Sequence, residues 1–122
     1  MKTLKFRVWD KNLKKFLGPS LVTVGGDGTL YDECYVYNNQ KERQEAWVIQ
    51  QYVGVNDITG EEIYEGDIVR RVGNHYVYSV EYSPTYACYQ LRDVDNDLTS
   101  LASLRNNLEI VGNLFKTPEI MQ

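Results

Sequence analysis

One histidine, two cysteines and several groups of carboxylates are the side chains of this 122-residue sequence whose chemistry could be catalytic. A nucleophile set would have to join His75 to Cys34 or Cys88 with an orienting carboxylate. His75 follows the turn signal Gly73-Asn74, where an exposed, idle imidazole is the ordinary outcome. With one histidine, a histidine-rich metal site is excluded. Asp93-Val94-Asp95-Asn96-Asp97 has the alternating carboxylates of a calcium loop, but Leu98 and Leu104 stand where such a loop needs Gly and Glu. Glu61, Glu62, Glu65 and Asp67 could pair as acid and base in glycoside chemistry. They sit in turn-like sequence, where charge is the soluble choice, so the structural reading outweighs the catalytic one. Gly25-Gly26-Asp27-Gly28 lacks the Lys-Ser/Thr of a phosphate loop and precedes no helical pattern, which leaves a plain loop. No catalytic residue, metal ligand or cofactor site is expected, and the chain is read as a non-enzyme.

The stronger lead is basic. Residues 1–17 hold six cations against Asp10 alone, while the remainder holds seven cations against sixteen acids. Lys5 and Arg7 alternate with Phe6 and Val8, so they share a strand face with Trp9. Lys14 and Lys15 fall on the returning strand. Cations around an exposed aromatic suit phosphate contact with base stacking. The structural alternatives are a Trp9 packed in the core or at an oligomer interface.

The elements that must position these residues read as β-structure. Ten tyrosines and alternating β-branched residues favour strands, and the composition, 43% hydrophobic and 25% charged, is that of a globular domain. Strands are expected around residues 4–9, 13–17, 31–37 and 47–53, with Gly54 interrupting the last. Residues 38–46 are polar and suit a loop or one or two helical turns. Asp57 and Gly60 mark one turn and Gly66-Asp67 another, with positive φ expected at glycine. Residues 66–92 then read as a three-stranded antiparallel meander. Leu98, Leu101, Ala102 and Arg105 have helical spacing, and residues 108–115 read as the last strand. The opening MKTLKFRVWD has no apolar stretch, no long apolar run follows it, and two isolated cysteines suit free thiols. A cytoplasmic protein without membrane contact is expected.

Several blocks resemble the YopX family of bacteriophage and prophage proteins. They are Lys5-Phe6-Arg7-Val8-Trp9-Asp10, then Gln51-Tyr52-Val53-Gly54 with Asp57 and Gly60. Ile63-Tyr64-Glu65-Gly66-Asp67-Ile68-Val69 follows, and finally Leu108-Glu109-Ile110-Val111-Gly112-Asn113-Leu114 with Pro118-Glu119. Tyr52-Val53-Gly54 departs mildly from the Phe-Thr-Gly of many relatives, and residues 18–46 match nothing in the pattern. The resemblance implies a mainly β protein of a phage or prophage, with one domain over 1–122. That domain would join an N-terminal hairpin region, 1–46, to an SH3-like barrel, 47–118, with at most one or two short helices. It brings no catalytic residues with it.

The expected function is that of a phage accessory protein-interaction module. It would self-associate or bind a phage or host protein through the basic hairpin. The alternative is single-stranded nucleic-acid binding through Lys5, Arg7, Trp9, Lys14 and Lys15.

Overall fold

The computed structural model describes residues 5–17, 22–24, 30–32 and 46–122. The glycine turn at 25–28, most of the polar run 38–46 and Cys34 lie outside them. The chain is mainly β, and its contacts divide it into two units, one of residues 6–50 and one of residues 1–5 with 51–122.

In the first unit, β1 (Phe6–Asp10) pairs antiparallel with β2 (Lys15–Leu17), Val8 opposite Leu17 and Asp10 opposite Lys15. The turn between them is built by Asp10. Its Oδ1 accepts the N–H groups of Asn12 and Leu13, and its carbonyl accepts that of Lys14, which sits at φ 54°. An aspartate can close such a turn because its short carboxylate reaches the backbone two and three residues on. β3 (Val22–Val24) pairs with β4 (Leu30–Asp32) as a second hairpin.

β5 (Trp47–Asn56) opens in the first unit and ends in the second. In the second unit it pairs with β6 (Glu62–Tyr64), and the register shifts by two between Tyr52 and Asn56. Gly54 lies inside that shift at φ 91°, so it does not end the strand as its sequence position suggested. It makes a bulge, a backbone shape glycine adopts cheaply.

The rest of the second unit is a five-stranded antiparallel sheet in the order β10-β9-β8-β7-β11. Its strands are β7 (Asp67–Arg71), β8 (Val77–Ser83), β9 (Cys88–Arg92), β10 (Leu98–Ser100) and β11 (Leu108–Asn113). The expected meander is β7-β8-β9. Tyr78, Val80, Leu91 and Val69 alternate onto one face and are buried with Val53, Ile63 and Leu108. Leu101 and Leu104 of the one-turn helix α1 (Leu101–Leu104) complete this core. The helical spacing at Leu98 is therefore shared between two elements. A strand of three residues comes first, and the helix begins at Leu101.

A 3₁₀ turn (Pro118–Met121) packs back on β8 and β11. It needs Gly112, because a Cβ there would collide with Thr117 Oγ1 and lie 2.5 Å from Ile120 Cδ1. Gly112 also follows the bulge in β11, where the register against β7 slips by one between Ile110 and Gly112. Gly66, between β6 and β7, is at φ 85°, and its N–H donates to Val80 C=O while its C=O accepts from Leu114 N–H.

Two substitutions test these backbone demands. Gly112→Ala should cost about 1–3 kcal/mol through overpacking. Gly66→Val should cost about 1–3 kcal/mol through a β-branched residue at positive φ. Urea unfolding checks both, and parent-like midpoints would show that neither position is constrained.

Candidate functional site

Of the five residues of the predicted basic surface, the structure buries Trp9, leaves Lys5, Lys14 and Lys15 exposed, and gives Lys5 and Arg7 side-chain partners. Lys5 donates to Glu62 Oε2 at 2.6 Å and lies 5.9 Å from the Tyr52 ring centroid. The Glu62 carboxylate raises the Lys5 pKa by hydrogen bond and charge. Arg7 donates from Nε to Gln50 Oε1 at 2.8 Å, and its guanidinium stands 4.4 Å from the centroid of Phe16. Trp9 is 4% exposed and packs edge-on to Phe16, with centroids 4.9 Å apart. It is therefore a packed aromatic and cannot stack on a base as an exposed Trp9 would. Alternation misleads at this point because Val8 and Trp9, on opposite strand faces, are both buried. Lys14 and Lys15 do remain exposed, Lys14 in the turn and Lys15 at the start of β2, beside exposed Lys11 and Leu13. Asp10 is spent on structure. Its Oδ2 accepts the indole N–H of Trp47 at 3.0 Å.

The turn residues form a second group, all in the second unit. Asp57 is 7% exposed. Its Oδ1 accepts Thr59 N–H, Thr59 Oγ1–H and Glu61 N–H at 2.7–2.9 Å, and its Oδ2 accepts Ile110 N–H at 3.0 Å. Gly60, at φ 90°, lets the loop close by donating its N–H to Asp57 C=O. Burial pushes the Asp57 carboxyl up, but these hydrogen bonds outweigh it and leave the carboxyl below its ordinary 3.8. Asp67, 2% exposed, accepts Tyr64 N–H on Oδ2 and Asn113 Nδ2–H on Oδ1. Glu65 is the opposite case. Burial raises its pKa, and the Tyr89 O–H that donates to it at 3.0 Å pulls it back only in part. These acids serve backbone, hydroxyl and side-chain amide donors, and among the described residues no group of three or more His, Cys, Asp or Glu could hold a metal ion.

A third feature was not marked by the sequence. Tyr86, Cys88, Gln90, Leu98, Thr99 and Ser100 line an open groove of about 390 Å³ along β9 and β10. Tyr86 is 75% and Leu98 49% exposed, and the Cys88 thiol is free. Cys88, Gln90, Leu98 and Ser100 share the sheet face opposite the core, as their register against Leu91 and Thr99 requires. The face is ordered by Glu81, whose carboxylate accepts from Gln90 Nε2 at 2.7 Å and from Arg92 at 2.8 Å. The only signal for this groove in the sequence was the apolar Leu98 directly after three aspartates.

β10 is the end strand of its sheet. Asp93 N–H donates to Asp97 C=O, so the next hydrogen-bonded pair is Leu91 with Thr99, and the Leu98 and Ser100 amides face away from β9. The groove thus runs beside an open backbone edge.

Comparison with known proteins agrees on the architecture. The sequence matches the family described as YopX protein over residues 5–122. The fold is similar to the crystal structure of protein EF1440 from Enterococcus faecalis, with TM-score 0.65, 22% identity and the whole of both chains covered. It is likewise similar to the crystal structure of protein yopX from Bacillus subtilis, with TM-score 0.64, 20% identity and both chains fully covered. No curated protein matches the chain.

The two carboxylates with opposite shifts should respond to amide replacement in opposite directions. Asp57→Asn should lose about 2 kcal/mol at neutral pH, as expected for hydrogen bonds to a buried charge. Because the folded pKa is depressed, that stability is present above the unfolded value and disappears as pH falls through the folded one. The gap between parent and variant should therefore close in acid. Glu65→Gln keeps an acceptor for Tyr89 and removes a desolvated charge, so the variant should match or exceed the parent at neutral pH. That difference should vanish as pH falls through the raised pKa. Urea titrations from pH 3 to 7 read both, and equal effects at every pH would contradict them.

Proposed function

The chain belongs to the YopX family, and on that premise we propose that it is a non-enzymatic protein-interaction module of a phage or prophage, working in the bacterial cytoplasm. The observation that carries this reading is the groove on β9 and β10. A preformed apolar hollow holding an exposed tyrosine and leucine has the composition of a docking surface. Short antiparallel strands around one core support reading residues 47–118 as an SH3-like barrel. The hydrogen-bonded carboxylates of Asp57, Asp67 and Asp10 fit structural work. The partner surface therefore moves from the hairpin, where Trp9 is packed away, to the β10 edge.

The test is capture from a bacterial lysate, with parent and Leu98→Glu proteins as paired baits and light scattering of both. A protein held by the parent and lost by the variant, or self-association of the parent lost by the variant, supports the reading. Identical capture and identical mass contradict it.

A lesser reading keeps nucleic acid as the ligand. Lys11, Lys14 and Lys15 are exposed at the hairpin tip, and no ion pair holds them among the described residues. Without an exposed Trp9, contact would be electrostatic alone. Binding of single-stranded DNA should then appear at low salt and weaken steeply between about 50 and 200 mM salt. Absence of binding at low salt, or binding unchanged in a Lys14→Ala/Lys15→Ala double variant, ends that reading.

A further inference from the structure

Resting on the interaction reading, we propose that the β10 edge accepts an extended peptide as an added strand, one that alternates apolar residues and carries Lys or Arg at one end. Three observations converge on this occupant. The first is the backbone. Leu98 presents its N–H and C=O, and Ser100 its N–H, away from β9 on a strand of three residues at the end of the sheet, while the C=O of Ser100, the N-cap of α1, is turned into the first turn of that helix. An incoming strand completes that ladder, and main-chain hydrogen bonds supply affinity with little dependence on sequence.

The second is the side-chain register. Leu98 and Ser100 point to the face that also carries Cys88 and Gln90, so the groove lies mainly on one side of the edge, with Thr99 contributing from the strand between them. An added strand places every other residue on that face. An apolar residue paired opposite this stretch would lie against Leu98, which is 49% exposed in the free protein. Specificity then follows the two-residue period of a strand. A helical ligand, with apolar residues three and four apart, would meet the groove once and leave the backbone edge unused.

The third is charge. The loop that leads into β10 carries Asp93, Asp95 and Asp97, and Asp95 and Asp97 are exposed. Asp93 Oδ1 accepts the N–H groups of Asp95 and Asp97, which holds this loop against the start of β10. A peptide paired along Leu98–Ser100 that continues past Leu98 runs beside these carboxylates. An acidic continuation would be repelled there, and a basic one attracted. The nearest cation on the groove face, Arg92, is already paired with Glu81 at 2.8 Å.

The contrast within the sheet sharpens the point. At the opposite end, β11 has two of its outward groups taken by the Asp57 turn, Ile58 N–H donating to Leu108 C=O and Ile110 N–H to Asp57. Long unpaired edges invite unwanted pairing, and proteins cover or shorten them. β10 is shortened and flanked by acids but left uncovered among the described residues, which suits selective pairing with a cationic strand.

The experiment is selection of random twelve-residue peptides on the intact protein, followed by titration of the most enriched synthetic peptide. Enriched sequences should show apolar residues at every second position beside Lys or Arg. That peptide should lose at least tenfold in affinity on N-methylation of alternate backbone amides that leaves its side chains intact. It should also bind at least tenfold more weakly to Leu98→Glu and to Asp95→Lys/Asp97→Lys, each checked by circular dichroism to be folded. No enrichment, enrichment of helical spacing, or indifference to N-methylation would overturn strand addition. A partner captured from lysate and lost in Leu98→Glu would survive those outcomes, so the strand mode can fail while the interaction reading stands. Failure of lysate capture with peptide binding intact would mark the reverse.

Discussion

The carboxylate of Asp57 is the constraint on which the larger sheet depends. It accepts three donors from its own turn and a fourth from Ile110, 53 residues later. Ile110 and Leu108 face outward from β11, so without the turn their backbone groups would be an open ladder. Asp57 and Ile58 take the place of a further strand there, the carboxylate accepting Ile110 N–H and Ile58 N–H donating to Leu108 C=O. A side-chain carboxylate suits this position because it accepts along the edge while closing its own loop, which a backbone carbonyl alone cannot do. Asp67 repeats the device on the neighbouring turn, joining Tyr64 N–H to Asn113. Two aspartates thus tie the β5–β7 region to the last strand across 53 and 46 residues, contacts that carry a loop-closure cost.

That arrangement divides the sheet into a closed edge and an open one. β11 is sealed by the Asp57 turn and braced by the 3₁₀ turn against Gly112. β10 is three residues long, with an apolar groove on one face and carboxylates at its start. The proposed recognition surface lies at the open end, where the Leu98 and Ser100 amides face away from β9. The functional reading follows from this asymmetry and not from any catalytic group.

Much of the scaffold was legible in the sequence. Alternation at Tyr78, Val80, Tyr89 and Leu91 identified the meander, and glycine beside aspartate identified the turns whose φ values are positive at Gly60 and Gly66. The block around Glu65-Gly66-Asp67 carried the family resemblance because its backbone shape and its carboxylate are both required. Other features had no local signature. A period-two pattern assigns one face to solvent, and β1 buries Val8 and Trp9 on both. Arg7 reads as a surface cation, yet its guanidinium lies over Phe16. Leu98 reads as part of a helix because the residues after it are helical, while the strand before α1 leaves it exposed. The bond from Asp57 to Ile110 has no spacing rule to announce it, since only the tertiary fold brings them together.

One sheet edge is closed by a carboxylate and the other is open. Residue-resolved amide hydrogen exchange on the free protein measures both edges at once. The Ile110 amide should exchange only with global unfolding, while the Leu98 and Ser100 amides should exchange through local opening and far faster. Comparable protection at Ile110 and at Leu98 and Ser100 would contradict it.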